Sequence, residues 1–292
     1  MIGVIHQLKT AGHPIEEVNM VFGGDIPIGA GLSSSAALEN AVGYGLSELF
    51  GLSIAKSVLA RHSQKAEHEF AGVRCGIMDQ YASLMGAENA GILLDCASLD
   101  YREVPLSLDD YTLVLCNSNV EHNLASSEYN IRRHQCEAGV ATLRQHYPEV
   151  SSLRDARLAM LTAPPLVFDP VTLKRCEYVI EENQRVIAFA QALEKKDFAA
   201  AGSILYEAHA GMRHKYEITC AEIDFMVDFA KTQEAVLGAR MMGGGFGGCT
   251  INLAHRQGQD QFIAELSKVY LERFDVEMTP ISVEVGAGTR SI

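Results

Sequence analysis

The sequence predicts an α+β protein with two domains. Its 292 residues exceed the length of one ordinary domain. Strand-like and helix-like segments mix at both ends of the chain, whereas the middle is mainly helical. With 48% hydrophobic and 21% charged residues, the composition is that of a globular protein. We therefore expect two α+β domains that divide between residues 118 and 126.

Charge and cysteine usage exclude several classes of function. The net charge of -13 repels nucleic-acid phosphates and anionic lipid, and no Lys/Arg-rich run offsets it locally. Seven scattered cysteines without a C-x-x-C pair are typical of reduced thiols. The first ten residues lack the apolar run of a signal peptide, and no stretch of 18 apolar residues follows. We expect a cytoplasmic monomer with no nucleic-acid or membrane partner.

Hydrophobic periodicity predicts the elements of the first part of the chain. In order, they are a strand at 18–22, a helix from the serines at 33–35 to residue 49, a helix at 54–70 and a short helix opened by GIMDQYASLMG. Gly51 ends the first of these helices. Ser53 is the expected N-cap of the second, and Gly72 lies just beyond its end.

The same pattern predicts the remaining elements. Three strands are expected at 91–96, 101–106 and 111–118, and four helices at 125–147, 173–195, 198–212 and 222–231. The end of the chain contains a glycine loop at 243–248, a strand at 249–254, a helix at 259–274 and a strand at 280–285.

A loop rich in glycine and serine, IPIGAGLSSSAALE, precedes the first predicted helix. Gly29 and Gly31 allow positive φ and leave no Cβ to keep a ligand away from the backbone. The serines at 33–35 fall on the first turn of the helix, where free N–H groups and the helix dipole favour an anion. One serine suffices as a cap, so three predict a phosphate cradle. The alternative is a glycine turn before a serine-capped helix.

A phosphate cradle of this kind needs another source of positive charge. No Walker A lysine and no G-x-G-x-x-G pattern accompanies the glycines. We therefore expect Mg²⁺, which hydroxyl and carboxylate oxygens bind well. Ser35 supplies a hydroxyl, and Glu67 and Glu69 are the candidate carboxylates. Because the two glutamates are two residues apart on a helix, only one of them points inward. Glu69 is four residues after Lys65, so it is better suited than Glu67 to an ion pair on the solvated face of the helix.

Two further segments have both a functional and an ordinary reading. Asp79 follows a glycine at the start of a short helix, where it can accept a proton from a hydroxyl or simply balance the helix dipole. The segment GARMMGGGFGGCTINL has more glycines than a hairpin needs. One interpretation is a backbone that packs close to a ligand or to another glycine loop. The other is a broad glycine turn.

Four segments together resemble the galactokinases, a family of the GHMP sugar and metabolite kinases. They are PIGAGLSSSAALE, KAEHEFAGVRCGIMDQ, NSNVEHNLASSEYNIRRHQCE and ARMMGGGFGGCTINL. The resemblance extends over nearly the whole chain. It implies the GHMP kinase fold, with an N-terminal domain like ribosomal protein S5 domain 2 at 1–120 and a ferredoxin-like C-terminal domain at 121–292.

The resemblance also implies a reaction and its residues. The reaction is ATP-dependent phosphorylation of galactose at the anomeric hydroxyl, with Mg²⁺ as cofactor. Asp79 matches the catalytic aspartate and is also a substrate-binding position. Gly76 and Tyr129 match positions that contact the sugar. Ser35 and Glu67 match the metal ligands. The implied ATP-binding residues are Gly29, Ala30, Gly31, Leu32, Ser33, Ser34 and Ser35.

One part of the family pattern is not found in this sequence. The resemblance implies an N-terminal segment with an arginine that stabilises the transition state and a Glu-His-x-Asp cluster that binds the sugar. We therefore expect a truncated first domain and impaired galactose phosphorylation. The alternatives are a non-catalytic sensor of ATP and galactose, or a sister kinase for N-acetylgalactosamine or galacturonate. The intact sequence Ser33-Ser34-Ser35-Ala36 favours an enzyme over a sensor.

Overall fold

The chain forms two compact units in the computed structural model, which describes residues 1–27, 29–120 and 125–291. The first unit consists of Met1–Ser107 with Glu284–Ile292, and the second of Leu108–Val283. This division differs from the predicted boundary after residue 120. The strand at Tyr111–Asn117 pairs with strands of the second unit, and the last residues return to the first.

The first unit is mainly helical. Its elements are α1 (Ile2–Thr10), α2 (Ser34–Leu49), α3 (Lys56–Ala66), α4 (Met78–Met85), β1 (Ala90–Leu94) and β2 (Tyr101–Pro105). A single π-helical turn, Glu67–Ala71, continues α3. The four helices bury a shared apolar core that includes Val4, Leu46, Leu59 and Leu84. The strands β1 and β2 form an antiparallel pair.

Most predictions for the first unit are confirmed, and two are wrong. The predicted strand at 18–22 forms no strand, and Val21 and Phe22 are exposed. Alternation produces a strand only where a neighbour accepts its backbone hydrogen bonds, and β1 and β2 pair with each other instead. Ser53 is not the cap of α3, because that helix begins at Lys56 and its N-cap residue is Ala55. The helix α1 was not predicted.

The second unit contains a four-stranded sheet and most of the long helices. Its elements are β3 (Tyr111–Asn117), α5 (Ala125–Arg144), α6 (Leu158–Leu161), α7 (Pro170–Glu194), α8 (Phe198–Gly211), α9 (Ala221–Ala230), β4 (Val236–Met241), β5 (Cys249–His255), α10 (Gln259–Phe274) and β6 (Thr279–Ser282). The sheet order is β4-β5-β3-β6, and every neighbouring pair is antiparallel. Helices connect β3 to β4 and β5 to β6. This is the split β-α-β arrangement of a ferredoxin-like fold, as the resemblance implied.

Close packing of α8 on β4 explains the glycine within strand β4. A Cβ added at Gly202 would overlap the backbone of Leu237, and one at Gly238 would overlap Gly202. Glycine therefore lets the helix and the strand approach each other directly. The predicted strands β3, β5 and β6 are confirmed, whereas β4 and the short helix α6 were not predicted.

The glycine loop at 243–248 connects β4 to β5. Gly245 has a φ of 94°, and a Cβ there would lie 2.5 Å from the carbonyl oxygen of Ile218. The backbone N–H of Phe246 donates to the same oxygen at 2.7 Å. The close approach expected of this loop is therefore made to another segment of the same unit.

Among the described helices, none combines the length and the apolarity that crossing a membrane requires.

Candidate active site

The loop before α2 has the backbone that its glycines predict. Gly29 and Gly31 have φ values of 78° and 72°, and Ser33 has a φ of 56°. Alternate residues are thus left-handed, which turns the chain sharply into the helix. Ala30 between them is buried and anchors the loop, whereas Ser35 is exposed. Ile28 lies outside the described residues.

The start of α2 is left uncapped by its own serine. Ser33 is the N-cap residue, yet its side chain makes no capping hydrogen bond. The first backbone bond of the helix runs from Ala37 N–H to the carbonyl oxygen of Ser33, at 3.0 Å. The N–H groups of the first turn and the positive end of the helix dipole therefore remain suited to an anion.

The two candidate carboxylates after α3 face different ways, as their spacing predicts. Glu69 is exposed, accepts a 2.5 Å hydrogen bond from Gln7 Nε2, and lies 3.7 Å from Lys65 Nζ. Glu67 is partly buried and hydrogen bonds with the side chain of Glu39 on α2. Glu69 thus has the solvated pairing expected of it, and Glu67 is the carboxylate that faces the other helix.

Glu39 is a site residue that the sequence reasoning missed. Its side chain is buried, with 8% of its surface exposed. Burial raises the pKa of its carboxyl well above the usual range, and the hydrogen bond and the negative charge of Glu67 raise it further. Glu39 lies four residues after Ser35, so both are on one face of α2. That spacing was the available signal.

The segment between α3 and α4 is fixed by side chains of α3 and its π-helical extension. Gly72 ends that extension with a φ of 73°. Gln64 Nε2 donates to the carbonyl oxygen of Cys75 at 3.1 Å, and His68 Nε2 hydrogen bonds to the same oxygen at 2.8 Å. These contacts place Asp79 in the first turn of α4, where it is half-buried. A π-helical turn at this point is typical of functional sites.

Three carboxyl groups act on the thiol of Cys75. Burial, as the largest cause, and the negative charge of Glu67 raise the pKa of this thiol to about 11, with smaller contributions in the same direction from Asp79 and Glu39. Acidic residues of α2, the π-helical turn and α4 are therefore near enough to this thiol to affect its pKa. A Cβ added at Gly76, beside Cys75, would meet no atom within 4 Å. Gly76 thus borders open space next to Asp79.

Tyr129 is the one predicted site residue in the second unit. It lies on α5, half-buried, and its ring is 3.8 Å from the position of a Cβ added at Gly244. Its contact with the sugar remains a prediction.

The candidate oxygen ligands in the first unit are of the type that a small hard cation prefers. Ser35 offers a hydroxyl, Glu67 a carboxylate, and the Oε2 atom of Glu39 is buried without a hydrogen-bond partner. Within the described ranges, no group of three or more His, Cys, Asp or Glu residues is arranged to hold a metal. Mg²⁺ keeps most of its waters and needs only one or two protein ligands, so this set suits it.

Comparison with known proteins identifies the fold and its relatives. The description "GHMP kinases N terminal domain" matches residues 1–87, and "GHMP kinases C terminal" matches residues 189–271. A crystal structure of Lactococcus lactis galactokinase complexed with galactose is similar to this structure with a TM-score of 0.92 and 34% identity, over 99% of this chain and 75% of that one. A homoserine kinase from Cytophaga hutchinsonii, 16% identical with a TM-score of 0.60, over 98% of this chain and 76% of that one, shares the fold alone.

Sequence similarity to galactokinases is the strongest evidence for the family. A galactokinase from Thermotoga neapolitana is 42% identical over 290 residues, which make up 99% of this chain and 80% of that protein. Another, from Clostridium beijerinckii, is 37% identical over 99% of this chain and 75% of its own length. Identity at this level over almost the entire chain, together with the shared fold, shows that the chain belongs to the galactokinase family of GHMP kinases.

Proposed function

We propose that this chain transfers the γ-phosphoryl group of ATP to the anomeric hydroxyl of galactose, producing galactose 1-phosphate and ADP. The observation that carries the proposal is the uncapped start of α2, which shares a unit with the acidic residues Glu67 and Asp79. The similarity to galactokinases identifies the sugar. The proposal places this reaction in the cytoplasm, as the scattered, unpaired pattern of the cysteines predicts, and in a monomer.

The glycine-serine loop binds the phosphates of ATP in this proposal. Residues 29–35 present backbone N–H groups and the positive end of α2 to a polyanion, which a protein of net charge -13 does not attract through its overall charge. The serine hydroxyls add donors that are not used for capping. Positioning and charge stabilisation of this kind account for most of the catalysis of phosphoryl transfer.

Asp79 acts on the sugar hydroxyl. Its carboxylate accepts the proton that the anomeric hydroxyl loses as its oxygen bonds to phosphorus. Gly76 leaves space beside it for the sugar, and Tyr129 orients the sugar with its hydroxyl. Glu67 and Ser35 would hold Mg²⁺, which supplies positive charge to the phosphate oxygens when bound.

A coupled assay of ADP release tests the proposal. We expect the highest kcat/KM with galactose, lower values with N-acetylgalactosamine and galacturonate, and loss of turnover in Asp79→Asn. The assay is run on the chain alone and on the chain supplied with a galactokinase N-terminal segment, because the chain covers 80% of the length of the Thermotoga neapolitana galactokinase. If neither form releases ADP with galactose while both bind ATP, the chain is a sensor and the proposal is wrong.

A further inference from the structure

Four buried polar atoms on α2, α3 and α4 have no hydrogen-bond partner among the described residues. They are Glu39 Oε2 and Asn40 Oδ1 on α2, Ser63 Oγ on α3, and Gln80 Oε1 on α4. Protein interiors pair nearly all such atoms, so each exception needs an explanation. Glu39 and Gln80 also contact groups of the site directly, which distinguishes them from Ser63.

A chain of hydrogen bonds runs from α4 to the carboxylate of Glu67. Asn40 Nδ2 donates to the backbone oxygen of Gln80 at 3.0 Å, which joins α2 to α4. The side chain of Gln80, with 2% of its surface exposed, hydrogen bonds with Glu39 and with Cys75. Glu39 in turn hydrogen bonds with Glu67. The orientation of Glu67 therefore depends on two buried residues of other helices.

Stability alone does not explain a buried carboxyl at this position. Burying such a group costs free energy, and apolar residues of similar size in place of buried ionisable groups are often neutral or stabilising. A residue that orients a metal ligand explains both the burial and the hydrogen bond, because the partners of metal ligands fix their direction.

We propose that Glu39 and Gln80 are positioning residues for the cation site, with Gln80 holding Glu39 and Glu39 holding the carboxylate of Glu67. The inference rests on the proposed function, since it assigns Glu67 as a ligand of the cation that accompanies ATP. It adds two residues that contact neither ATP nor the sugar and act through Glu67.

Paramagnetic resonance of Mn²⁺, with a non-hydrolysable ATP analogue, measures the cation affinity directly. Glu39→Leu removes the hydrogen bond to Glu67 without opening a large cavity, and we expect it to weaken Mn²⁺ binding by about 10- to 100-fold, the range for partners of metal ligands. Glu39→Gln keeps a hydrogen-bonding group of the same shape and should recover most of the affinity. Glu69→Gln is the matched control on the same turn as Glu67 and should bind Mn²⁺ normally.

Melting temperatures and a fourth variant separate the explanations. A residue with a purely structural role changes the melting temperature and not the Mn²⁺ spectrum, whereas we expect Glu39→Leu to melt no lower than the unmodified chain. Normal Mn²⁺ affinity in Glu39→Leu, with loss in Glu67→Gln, overturns the positioning role and leaves the proposed function intact. Normal affinity in Glu67→Gln instead removes the metal assignment on which both depend.

Discussion

Ser33→Ala separates the two interpretations of the serine-rich loop. If the serine is an ordinary N-cap, its removal destabilises α2. If the serine instead binds phosphate, its removal weakens ATP binding and leaves the fold unchanged. The structure favours the second outcome, because the side chain of Ser33 makes no capping hydrogen bond. Alanine also carries a Cβ, so the cost of the left-handed φ of 56° is the same before and after the change.

The expected magnitudes follow from a second serine on the same helix. Ser47 is buried, and its Oγ accepts a hydrogen bond from the backbone N–H of Ile54 at 3.1 Å. Ser47→Ala leaves that N–H without its partner, which costs about 1–3 kcal/mol of the free energy of unfolding. Ser33→Ala breaks no such bond and should cost less than about 0.5 kcal/mol. A hydrogen bond to a charged phosphate contributes about 1.5–3 kcal/mol, so its loss should weaken ATP binding at least tenfold.

Urea unfolding and calorimetry with a non-hydrolysable ATP analogue measure the two effects on the same samples. We expect Ser47→Ala to lower the urea midpoint of the first unit and Ser33→Ala to leave it in place. For ATP affinity, the expected order is reversed. A Ser33→Ala variant that unfolds as early as Ser47→Ala and binds ATP normally would show that the hydroxyl is a cap after all, and would refute the reasoning.

Three further substitutions test the reaction and the fold. Asp79→Asn should lower kcat by about 10²- to 10⁴-fold in the ADP-release assay while calorimetry shows unchanged binding of the ATP analogue, since only proton transfer is lost. Tyr129→Phe should raise the KM for galactose about fivefold with kcat retained, as expected for one neutral hydrogen bond to the bound sugar. Gly245→Ala should lower the free energy of unfolding by about 1–3 kcal/mol in urea, because its Cβ would lie 2.5 Å from the oxygen of Ile218. Gly244→Ala is the control, as its Cβ would make only an ordinary contact; equal unfolding midpoints for the two variants would contradict the packing argument.

Local patterns were sufficient for the elements that depend on local interactions. The apolar spacing of α2 and the stop at Gly51 predicted that helix, and glycine at positions 29 and 31 predicted positive φ. The strand predicted at 18–22 was wrong because alternation does not reveal whether a neighbouring strand is present. The strand β4 was missed because Gly238 is unfavourable in a strand, and only its contact with Gly202 explains it.

The candidate site shows the same limit. Its loop and Glu67 stand in short motifs with recognisable chemistry, and the family resemblance adds Asp79, so the sequence predicts all three as site residues. Glu39 was missed because a glutamate in an amphipathic helix is usually solvated. Its side chain is buried and hydrogen bonds with Glu67, which is distant in the sequence and close in the fold. Hydrogen bonding between distant carboxyl groups has no local sequence signature.

The return of the last residues to the first unit has a consequence for biosynthesis. Gly288 N–H donates to the oxygen of Gly86 at 2.7 Å, and Thr289 N–H donates to that of Ser83 at 2.8 Å. The second unit is one uninterrupted stretch, Leu108–Val283, whereas the first unit joins segments from both sides of it, so the first unit cannot complete its contacts until residues 284–291 have left the ribosome. A premature stop near Glu284 would therefore leave the second unit whole and remove contacts from the end of α4, the helix that carries Asp79.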